Sequence, residues 1–579
     1  MIKIIKFLLI LNSSQKRGVV IIFFFSLLET ILETLTISLI FPLVSIYSNN
    51  KDGDYRIFNF FESFFYKDPL INFTLIFIFI FFIKFIFTLF FGYQKYKFLY
   101  NLKADLSFFI LKKYLQKKYS FFFNNNSAYL IRNINDEVSI VVSGVLDSLI
   151  IILIEIMTIL FLFSLILYSQ PKFFFVIFFF ILIPSILLFY SFNPIIKIWG
   201  EKIFNLRGDT LRALKEIFDN IKFIKIINKE NFFLEKLKKI FYQSTLIDIK
   251  YSFLKLAPRP FFEFFTLIVI FVTIIFYFLR QNVGFSSLLP LFALYAAIAF
   301  RVVPSFSRLL IHLNNLKYSI KSVEIIYDEL KFVSNKNFSK NNQVVKDKNT
   351  LESQDSNFIF NNLKFINVSF GYKKKNTLIK NFNLNIKKND RVAIIGESGV
   401  GKSTFVDLIC GLILPTQGVI KVNNVNLGKI SEIWQKKIGY IPQDFNFLDD
   451  NIYNNIAFAE DKINIGKLES SIKNSNLEKY FNTSKKNLVY KIGESGIRLS
   501  GGQRQRLAVA RALYLTPQVL IMDEATSNLD KKTEEQMIKN IFAIKNVTII
   551  FISHRVIDKK IFNKIYLIKK NKLLLTYNR

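Results

Sequence analysis

The stretch RVAIIGESGVGKST, residues 391–404, decides the fold of the C-terminal part of this chain. Its first five residues predict a β-strand, and a helix is expected to follow the last two. A glycine-rich loop of the pattern G-x-x-x-x-G-K-[ST] therefore joins a strand to a helix. Backbone amides of such a loop, together with the helix N-terminus, bind phosphate oxygens. The sequence thus predicts a nucleotide-binding site.

Each part of this loop has a distinct expected role. Lys402 would neutralise the β and γ phosphates of ATP, and the hydroxyl of Ser403 would ligate Mg²⁺. The predicted ATP-binding residues of the loop are Gly396, Glu397, Ser398, Gly399, Val400, Gly401, Lys402, Ser403 and Thr404.

A second motif, which contains two acidic residues, follows about 120 residues later, in the run VLIMDE at residues 519–524. The run predicts a buried apolar strand that ends in two acids. Acids at a strand end are most often solvated loop residues, but after a phosphate-binding loop the catalytic interpretation is favoured. Asp523 would hold Mg²⁺ through water, and Glu524 would polarise the attacking water as a general base.

Around these motifs, short β-branched runs alternate with helical patterns. That alternation predicts an α/β domain with a largely parallel sheet over residues 358–579. The preceding residues 333–357 are polar, lack periodicity and read as a linker.

Residues 1–332 have the composition of a membrane domain. Hydrophobic residues make up 51% of the whole chain and charged residues 21%, so one part is expected in lipid and another in water. A bilayer span needs about 20 apolar residues. The stretches that qualify as spans lie at residues 18–47, 70–93, 140–168, 173–192, 261–279 and 285–303.

The distribution of basic residues predicts the orientation of these six spans. Lys and Arg concentrate in the long connections at residues 94–139 and 193–258, which therefore face the cytoplasm, as do both termini. Both connections show helical periodicity, so helices with long cytoplasmic extensions are expected. Residues 54–66 would lie outside, as a short surface helix or an ordered loop.

Composition excludes several other classes of protein. The formal net charge is +34, yet no nucleic-acid motif accompanies it, so we expect no nucleic-acid partner. The single Cys410 rules out an intrachain disulfide and a CxxC metal site, and two histidines make a histidine-based metal centre improbable.

The motif LSGGQ at residues 499–503 makes the sequence resemble the ABC transporter superfamily. In that family, the signature motif of one subunit covers the γ-phosphate held by the other subunit. The resemblance implies ATP contacts from Ser500, Gly501, Gly502 and Gln503. A hydroxyl and exposed amides at a helix N-terminus suit that task physically.

Further positions match the family one by one. The resemblance implies that Tyr372 stacks on adenine, that Gln443 contacts Mg²⁺ and takes part in catalysis, and that His554 contacts the γ-phosphate. The run SNLD at residues 527–530 resembles the D-loop, with Asn528 as a departure from the usual SALD. IGESG at residues 492–496 resembles an exporter-specific loop.

One phosphate-binding loop and one signature per chain imply that a complete site needs two chains. A homodimer is the simplest assembly, and a heterodimer stays open. Six spans fused ahead of the ATPase domain, with long cytoplasmic connections, resemble exporters. Short coupling helices within residues 115–138 and 215–235 would carry ATP-driven closure to the membrane domain.

Charged residues in the spans bear on what is moved. Lys84, Arg259, Arg301 and Arg308 would line a cavity for an anionic headgroup. The alternative explains any single one of them equally well: Lys84 snorkels, Arg308 lies outside the lipid, and the others form ion pairs. The glutamates in the spans are Glu29, Glu33, Glu155 and Glu263.

Three further segments resemble the bacterial flippases of lipid-linked oligosaccharides: residues 32–46, 257–260 and 300–309. The resemblance implies a polyprenyl-pyrophosphate oligosaccharide as substrate, in the bacterial inner membrane, for protein glycosylation. The alternatives are export of another lipid, a peptide or a drug, and a channel or regulator gated by the ATPase.

Overall fold

A computed structural model describes residues 2–39, 69–169, 171–280, 285–334, 358–372, 377–478, 490–526, 530–554 and 559–578. These residues form two compact units. One unit, here called the membrane unit, comprises residues 1–117 and 124–338, and the other, the ATPase unit, comprises residues 118–123 and 339–579. The predicted external segment at 54–66 and the linker from residue 335 onward lie outside the described residues.

The membrane unit consists of helices. In chain order they are α1 (Ile2–Ile10), α2 (Ser13–Ser38), α3 (Pro69–Gln116), α4 (Ser120–Asn124), α5 (Ser127–Arg132), α6 (Val138–Ile140), α7 (Asp147–Ser169), α8 (Pro171–Asp219), α9 (Ile221–Ile227), α10 (Glu230–Leu256), α11 (Pro258–Arg280), α12 (Phe285–Tyr318) and α13 (Ile320–Ser334). Most of α4 belongs to the ATPase unit. Two π-helical segments, Asn133–Glu137 and Val141–Leu146, flank α6.

Helices cover all six stretches that the sequence predicts as spans, as far as those stretches are described. Within the described residues, three helical stretches are both long and apolar enough to cross a bilayer: Ser13–Ser38, Thr74–Gln116 and Ser127–Ser164. The count of six spans therefore stays a prediction.

The long helical extensions are present in the membrane unit. Helix α3 has 48 residues and α8 has 49. At 1.5 Å per residue each is roughly 70 Å long, about twice the apolar thickness of a bilayer. Helix α7 ends at Ser169 and α8 begins at Pro171, where proline suits the first helical turn.

The ATPase unit is an α/β structure. Its elements are β1 (Asn362–Phe370), β2 (Ile379–Lys387), β3 (Arg391–Gly396), α14 (Lys402–Ile409), β4 (Gln417–Val422), β5 (Val425–Asn426), α15 (Leu427–Gln435), β6 (Ile438–Ile441), α16 (Ile452–Ile456), α17 (Ile465–Asn474), α18 (Gly501–Tyr514), β7 (Val519–Asp523), α19 (Lys531–Phe542), β8 (Thr548–Ser553), β9 (Lys564–Lys569) and β10 (Lys572–Asn578), with 3₁₀ turns at Glu494–Gly496 and Lys559–Ile561.

These strands form two sheets. The larger has the order β10-β9-β3-β8-β7-β6 and is parallel except for β10. The smaller, β2-β1-β4-β5, is antiparallel throughout. The expectation of a largely parallel sheet therefore describes only the larger one. Strands β7 and β8 are buried at every position, as both faces of a parallel sheet are covered, whereas β2 has exposed residues between its buried ones.

Trp434 of α15 anchors one of the two cores of the ATPase unit. Its side chain is fully buried, its ring centroid lies 5.3 Å from that of Phe360, and its Nε1 donates a 2.7 Å hydrogen bond to the carbonyl oxygen of Ile409. The indole thus joins α15 to the end of α14, the helix that follows the phosphate-binding loop.

We expect Trp434→Ala to destabilise the ATPase unit by about 3–5 kcal/mol, because it leaves a large cavity. For a unit of this size, thermal unfolding should begin roughly 10 °C lower. Leu575→Ala, which truncates a side chain that is 53% exposed, should leave the melting temperature nearly unchanged. Equal shifts in the two variants would contradict this account of the core.

Candidate functional site

The phosphate-binding loop has the geometry that the sequence predicts. Strand β3 ends at Gly396 and α14 begins at Lys402. Gly399 and Gly401 have φ values of 81° and 97°, which only glycine adopts without strain. The Nζ of Lys402 donates hydrogen bonds to the carbonyl oxygens of Gly396 at 2.8 Å and of Glu397 at 3.3 Å. The lysine ammonium is therefore held over the loop.

Three of the predicted site residues, Lys402, His554 and Gln443, contact the carboxylate of a fourth, Glu524. Its Oε1 lies 3.5 Å from Nζ of Lys402 and 3.2 Å from Nδ1 of His554. Its Oε2 accepts a 2.9 Å hydrogen bond from Nε2 of Gln443. Residues that are far apart in the sequence are thus gathered around one acid beside the loop.

Glu524 also has an uncommon backbone conformation, with φ at 50°. Most other non-glycine residues with positive φ in the described part of the chain are asparagines, which tolerate this region, whereas a glutamate there costs free energy, and such strained residues cluster at active sites. The Glu524 amide donates a 3.0 Å hydrogen bond to the carbonyl oxygen of Ile552 in β8. This bond fixes the turn that directs the carboxylate toward Lys402.

Two carboxyl groups lie near the loop, Asp523, which is buried, and Asp407, which is partly buried. Burial, together with the neighbouring Glu524 carboxylate, raises the pKa of Asp523 to about 6. Burial and the charge of Asp523 raise the pKa of Asp407 in α14 to about 6. Sequence reasoning missed Asp407, because an acid on the helix after such a loop carries no motif.

This concentration of acids fits a divalent cation. Within the described residues, no cluster of three or more His, Cys, Asp or Glu forms a ready-made metal cage. The ion that ATP brings would instead be held by the hydroxyl of Ser403, the Gln443 side chain and the Asp523 carboxyl, in addition to phosphate oxygens. Its charge would offset the negative charge of Glu524, which helps to raise the pKa of Asp523.

The signature motif opens α18. Ser500 is the N-cap residue, and its side chain accepts a 3.3 Å hydrogen bond from the Gln503 amide, while the Gln503 side chain accepts one from the Ser500 amide at 2.8 Å. This capping box leaves Gly501 and Gly502 at the start of the helix. Two residues on, Gln505 Nε2 lies 3.5 Å from the carbonyl oxygen of Glu524, a link that sequence reasoning also missed.

Tyr372 presents an aromatic ring near the start of α14. Its ring is 51% exposed, and its hydroxyl lies 3.4 Å from Oγ1 of Thr404. The ring packs edge-on against Phe370 at 5.1 Å and against Phe123 at 5.6 Å. Phe123 comes from the short segment 118–123, within the predicted coupling region, so an aromatic of that segment supports the ring expected to stack on adenine.

The predicted D-loop is only partly described, because residues 527–529 lie outside the described residues. Its last residue, Asp530, caps α19 by accepting a 3.0 Å hydrogen bond from the Thr533 amide. The predicted exporter-specific loop contains the 3₁₀ turn Glu494–Gly496 and is followed by Ile497, which is 78% exposed.

In the membrane unit, three of the four predicted headgroup residues pair with glutamates from other helices. Lys84 and Arg301 both contact Glu33 of α2, with 3.6 Å between Lys84 Nζ and Oε1. Arg308 binds Glu155 of α7 through two contacts of 2.5 and 3.3 Å. The structure thus brings Lys84 and Arg301 together on one carboxylate.

Arg259 is placed differently. It pairs at 2.9 Å with Glu263 one turn later on the same helix, α11, and both side chains are more than half exposed. An exposed pair of this kind contributes little to stability. The structure does not join Arg259 to the other three cations.

With this geometry established, comparison with known proteins settles the family. The family model of the ABC transporter transmembrane region matches residues 19–310, half of the chain, and a second family model, described as ABC transporter, matches residues 379–527. This chain is an ABC transporter. Members of this family couple ATP hydrolysis to transport, which explains why both motif sets occur in one polypeptide.

Relatives of this ABC transporter are named for export. A Rickettsia typhi protein whose name describes an export ATP-binding/permease protein is 31% identical over 402 residues, 66% of this chain and 65% of that protein. The alpha-hemolysin translocation ATP-binding protein HlyB of Escherichia coli O6:H1 is 35% identical over 216 residues, 37% of this chain and 31% of HlyB. The chain thus spans less than two thirds of these relatives.

A solved structure has the same fold. A bacterial Atm1-family ABC exporter with ATP bound superimposes with a TM-score of 0.77, over 97% of this chain and 95% of that one, at 16% sequence identity. At this identity the likeness concerns the fold, which is that of an ABC exporter.

We expect Glu524→Gln to lower the ATPase rate by about 10²–10⁴-fold while ATP still binds, because the amide keeps the size of the side chain but cannot accept a proton. Phosphate release and nucleotide binding by the full-length protein would measure this. Glu535→Gln, at an exposed position of α19 in the same unit, serves as a matched control and should keep the wild-type rate. A Glu524→Gln variant with wild-type turnover would rule out the general-base role.

A second expectation concerns pH. Because the folded protein raises the pKa of Asp407 from 3.8 to about 6, the folded state binds more protons than the unfolded state between these values, and stability falls as pH rises through this window. Asp407→Asn removes the buried charge. It should raise the melting temperature at pH 7.5 and leave it unchanged near pH 4.

The control is Asp461→Asn, which replaces an exposed aspartate of the same unit and should change the melting temperature at neither pH. Equal effects of Asp407→Asn at both pH values would contradict the assignment of a raised pKa.

Proposed function

We propose that this ABC transporter is a homodimeric exporter that uses Mg²⁺-ATP to flip a polyprenyl-pyrophosphate oligosaccharide across the bacterial inner membrane for protein glycosylation. The observation that carries the substrate class is the group of cations in the membrane unit, Lys84, Arg301 and Arg308, each held by a glutamate. Charged groups in a membrane domain are costly and are kept where a charged ligand needs them.

The residues around Glu524 would divide the work of ATP hydrolysis. Lys402 and the loop amides would hold the β and γ phosphates, and Glu524 would accept the proton of the attacking water. His554 and Gln443 both contact the Glu524 carboxylate and would orient it toward the γ-phosphate. Tyr372 would stack on adenine with its exposed face.

Mg²⁺, when bound with ATP, supplies positive charge between the phosphates. The residues that would hold it are Ser403, Gln443 and Asp523. Asp523 is 4% exposed, and its pKa is raised, so its charged form is disfavoured in the absence of a cation. A nearby divalent cation would stabilise that charged form.

A second copy of the chain would complete the site, since each chain carries one loop and one signature. The helical extensions support this assembly. Large apolar side chains stand exposed along parts of α3 and α10 beyond the predicted spans, where no lipid would cover them. They include Tyr100, Phe108 and Leu115 of α3, and Phe232, Tyr242 and Phe253 of α10, each more than 60% exposed. Apolar patches of this kind mark protein interfaces.

An anionic headgroup suits the membrane unit better than a drug does. A drug site is expected to be mostly apolar with few charges, whereas here the membrane unit holds two guanidinium groups on α12 and one ammonium group on α3, each paired with a glutamate. Arg in particular binds phosphate through two parallel hydrogen bonds. Export of another lipid or of a peptide is the second candidate, favoured by the names of the relatives, one of which concerns alpha-hemolysin translocation.

The test is ATP-dependent flipping of a fluorescent polyprenyl-pyrophosphate oligosaccharide in proteoliposomes. Glu524→Gln should abolish flipping, and Arg301→Ala should lower it about tenfold or more while ATPase activity remains, since one charge-assisted bidentate contact is lost. The control is Arg212→Ala, which removes an arginine whose side chain is 60% exposed and should flip normally.

ATPase activity without flipping of this lipid would overturn the substrate and leave the other exporter functions. Flipping by Arg301→Ala at the wild-type rate would show that Arg301 does not bind the pyrophosphate of the substrate.

A further inference from the structure

One carboxylate in the membrane unit serves two cations. Glu33 of α2 contacts Lys84 of α3 through Oε1 at 3.6 Å and Arg301 of α12 through Oε2. The Nε of Arg301 is buried and has no hydrogen-bond partner among the described residues. A lysine and an arginine offer eight N–H donors and two positive charges, against one negative charge from the carboxylate. The three-residue cluster is short of negative charge and of acceptors.

A second guanidinium continues the row along α12. Arg308 lies seven residues after Arg301, two helical turns and about 10 Å along the same face. Its partner is Glu155 of α7, whose side chain is 4% exposed, while Arg308 itself is 39% exposed. Each guanidinium of α12 is thus matched to a glutamate on a different helix.

These glutamates occupy the position that an anionic ligand needs. A partly buried cation that loses its counter-ion is destabilised, so a headgroup that displaces Glu33 must replace its charge and its hydrogen bonds. A headgroup with a single negative charge replaces the charge of Glu33 without adding to it, and it still loses its own hydration. A headgroup with two or more charges also satisfies the surplus charge and the free Nε of Arg301.

We propose that Glu33 is a specificity-determining residue that competes with the headgroup for Lys84 and Arg301, and so admits pyrophosphate or phosphomonoester lipids and excludes monoanionic phosphodiester lipids. The inference rests on the proposed function, since it concerns the same cations. It adds a reason for selectivity: bulk anionic phospholipids greatly outnumber any carrier lipid, so cations without an internal carboxylate would be occupied by them.

The neighbouring glutamate on α2 provides a matched control. Glu29 lies one turn before Glu33, and its carboxyl group interacts electrostatically with Glu33 and Arg301 without contacting either directly. Glu29 makes no ion pair within 4 Å in the described part of the chain. Glu29→Gln therefore removes a carboxylate from the same helix without releasing either cation.

The experiment titrates the full-length protein in phosphatidylcholine nanodiscs with a polyprenyl pyrophosphate and, separately, with phosphatidylglycerol, and follows binding by intrinsic fluorescence. The wild type should prefer the pyrophosphate lipid. Glu33→Gln should tighten phosphatidylglycerol binding by about tenfold or more, corresponding to at least about 1.4 kcal/mol, and so narrow the preference. Glu29→Gln should keep the wild-type ratio.

If the Glu33→Gln variant does not fold, the double variant Glu33→Gln/Lys84→Met replaces it in the same binding experiment. It keeps the net charge of the cluster and removes the competing carboxylate, so tighter phosphatidylglycerol binding is again expected.

The outcomes separate the two ideas. A wild-type preference that is unchanged in the Glu33 variants, or that changes equally in Glu29→Gln, overturns the role of Glu33 and leaves the proposed function standing. A wild type that binds no pyrophosphate lipid overturns the proposed function and this inference with it.

Discussion

The need to compensate buried charge is the constraint on which this structure depends. The ATPase unit keeps the ammonium of Lys402, 8% exposed, within 3.5 Å of the Glu524 carboxylate. The membrane unit keeps Arg301 and Lys84 on Glu33. In both units a glutamate supplies the negative charge that a phosphate group would otherwise bring. Lys402 could not stay buried without a partner, because an unpaired charge in a protein interior is strongly destabilising. Lys84 and Arg301, which are about one fifth exposed, are partly subject to the same cost.

The parallel sheet explains how distant residues meet at Glu524. The strand order β3-β8-β7-β6 brings the carboxyl ends of four strands to one edge, which is where open α/β sheets bind ligands. The loop with Lys402 follows β3, His554 follows β8, Glu524 follows β7 and Gln443 follows β6. Each predicted residue therefore reaches the site because its strand ends there, and the spacing of the motifs in the sequence reflects this topology.

The phosphate-binding loop, the acidic end of β7 and the ABC family could be predicted from the sequence, because each depends on a short local motif. The sequence did not predict the antiparallel sheet, since β1 and β2 carry no turn signal that fixes their partner. Asp407 was missed because only burial beside Asp523 distinguishes it from other helical acids. Nor could spacing tell which glutamate of α2 would pair: Glu29 and Glu33 lie one turn apart on one helix face, and only packing against α3 and α12 selects Glu33.

The most direct test of the central claim is a cryo-EM structure of the nucleotide-free protein in nanodiscs with a bound polyprenyl pyrophosphate. If phosphate replaces the carboxylate that Lys84 and Arg301 share, the pyrophosphate will lie within hydrogen-bond distance of Arg301, and Glu33 will have moved away from it. An intact Arg301–Glu33 pair, with the lipid headgroup bound elsewhere, would contradict the account.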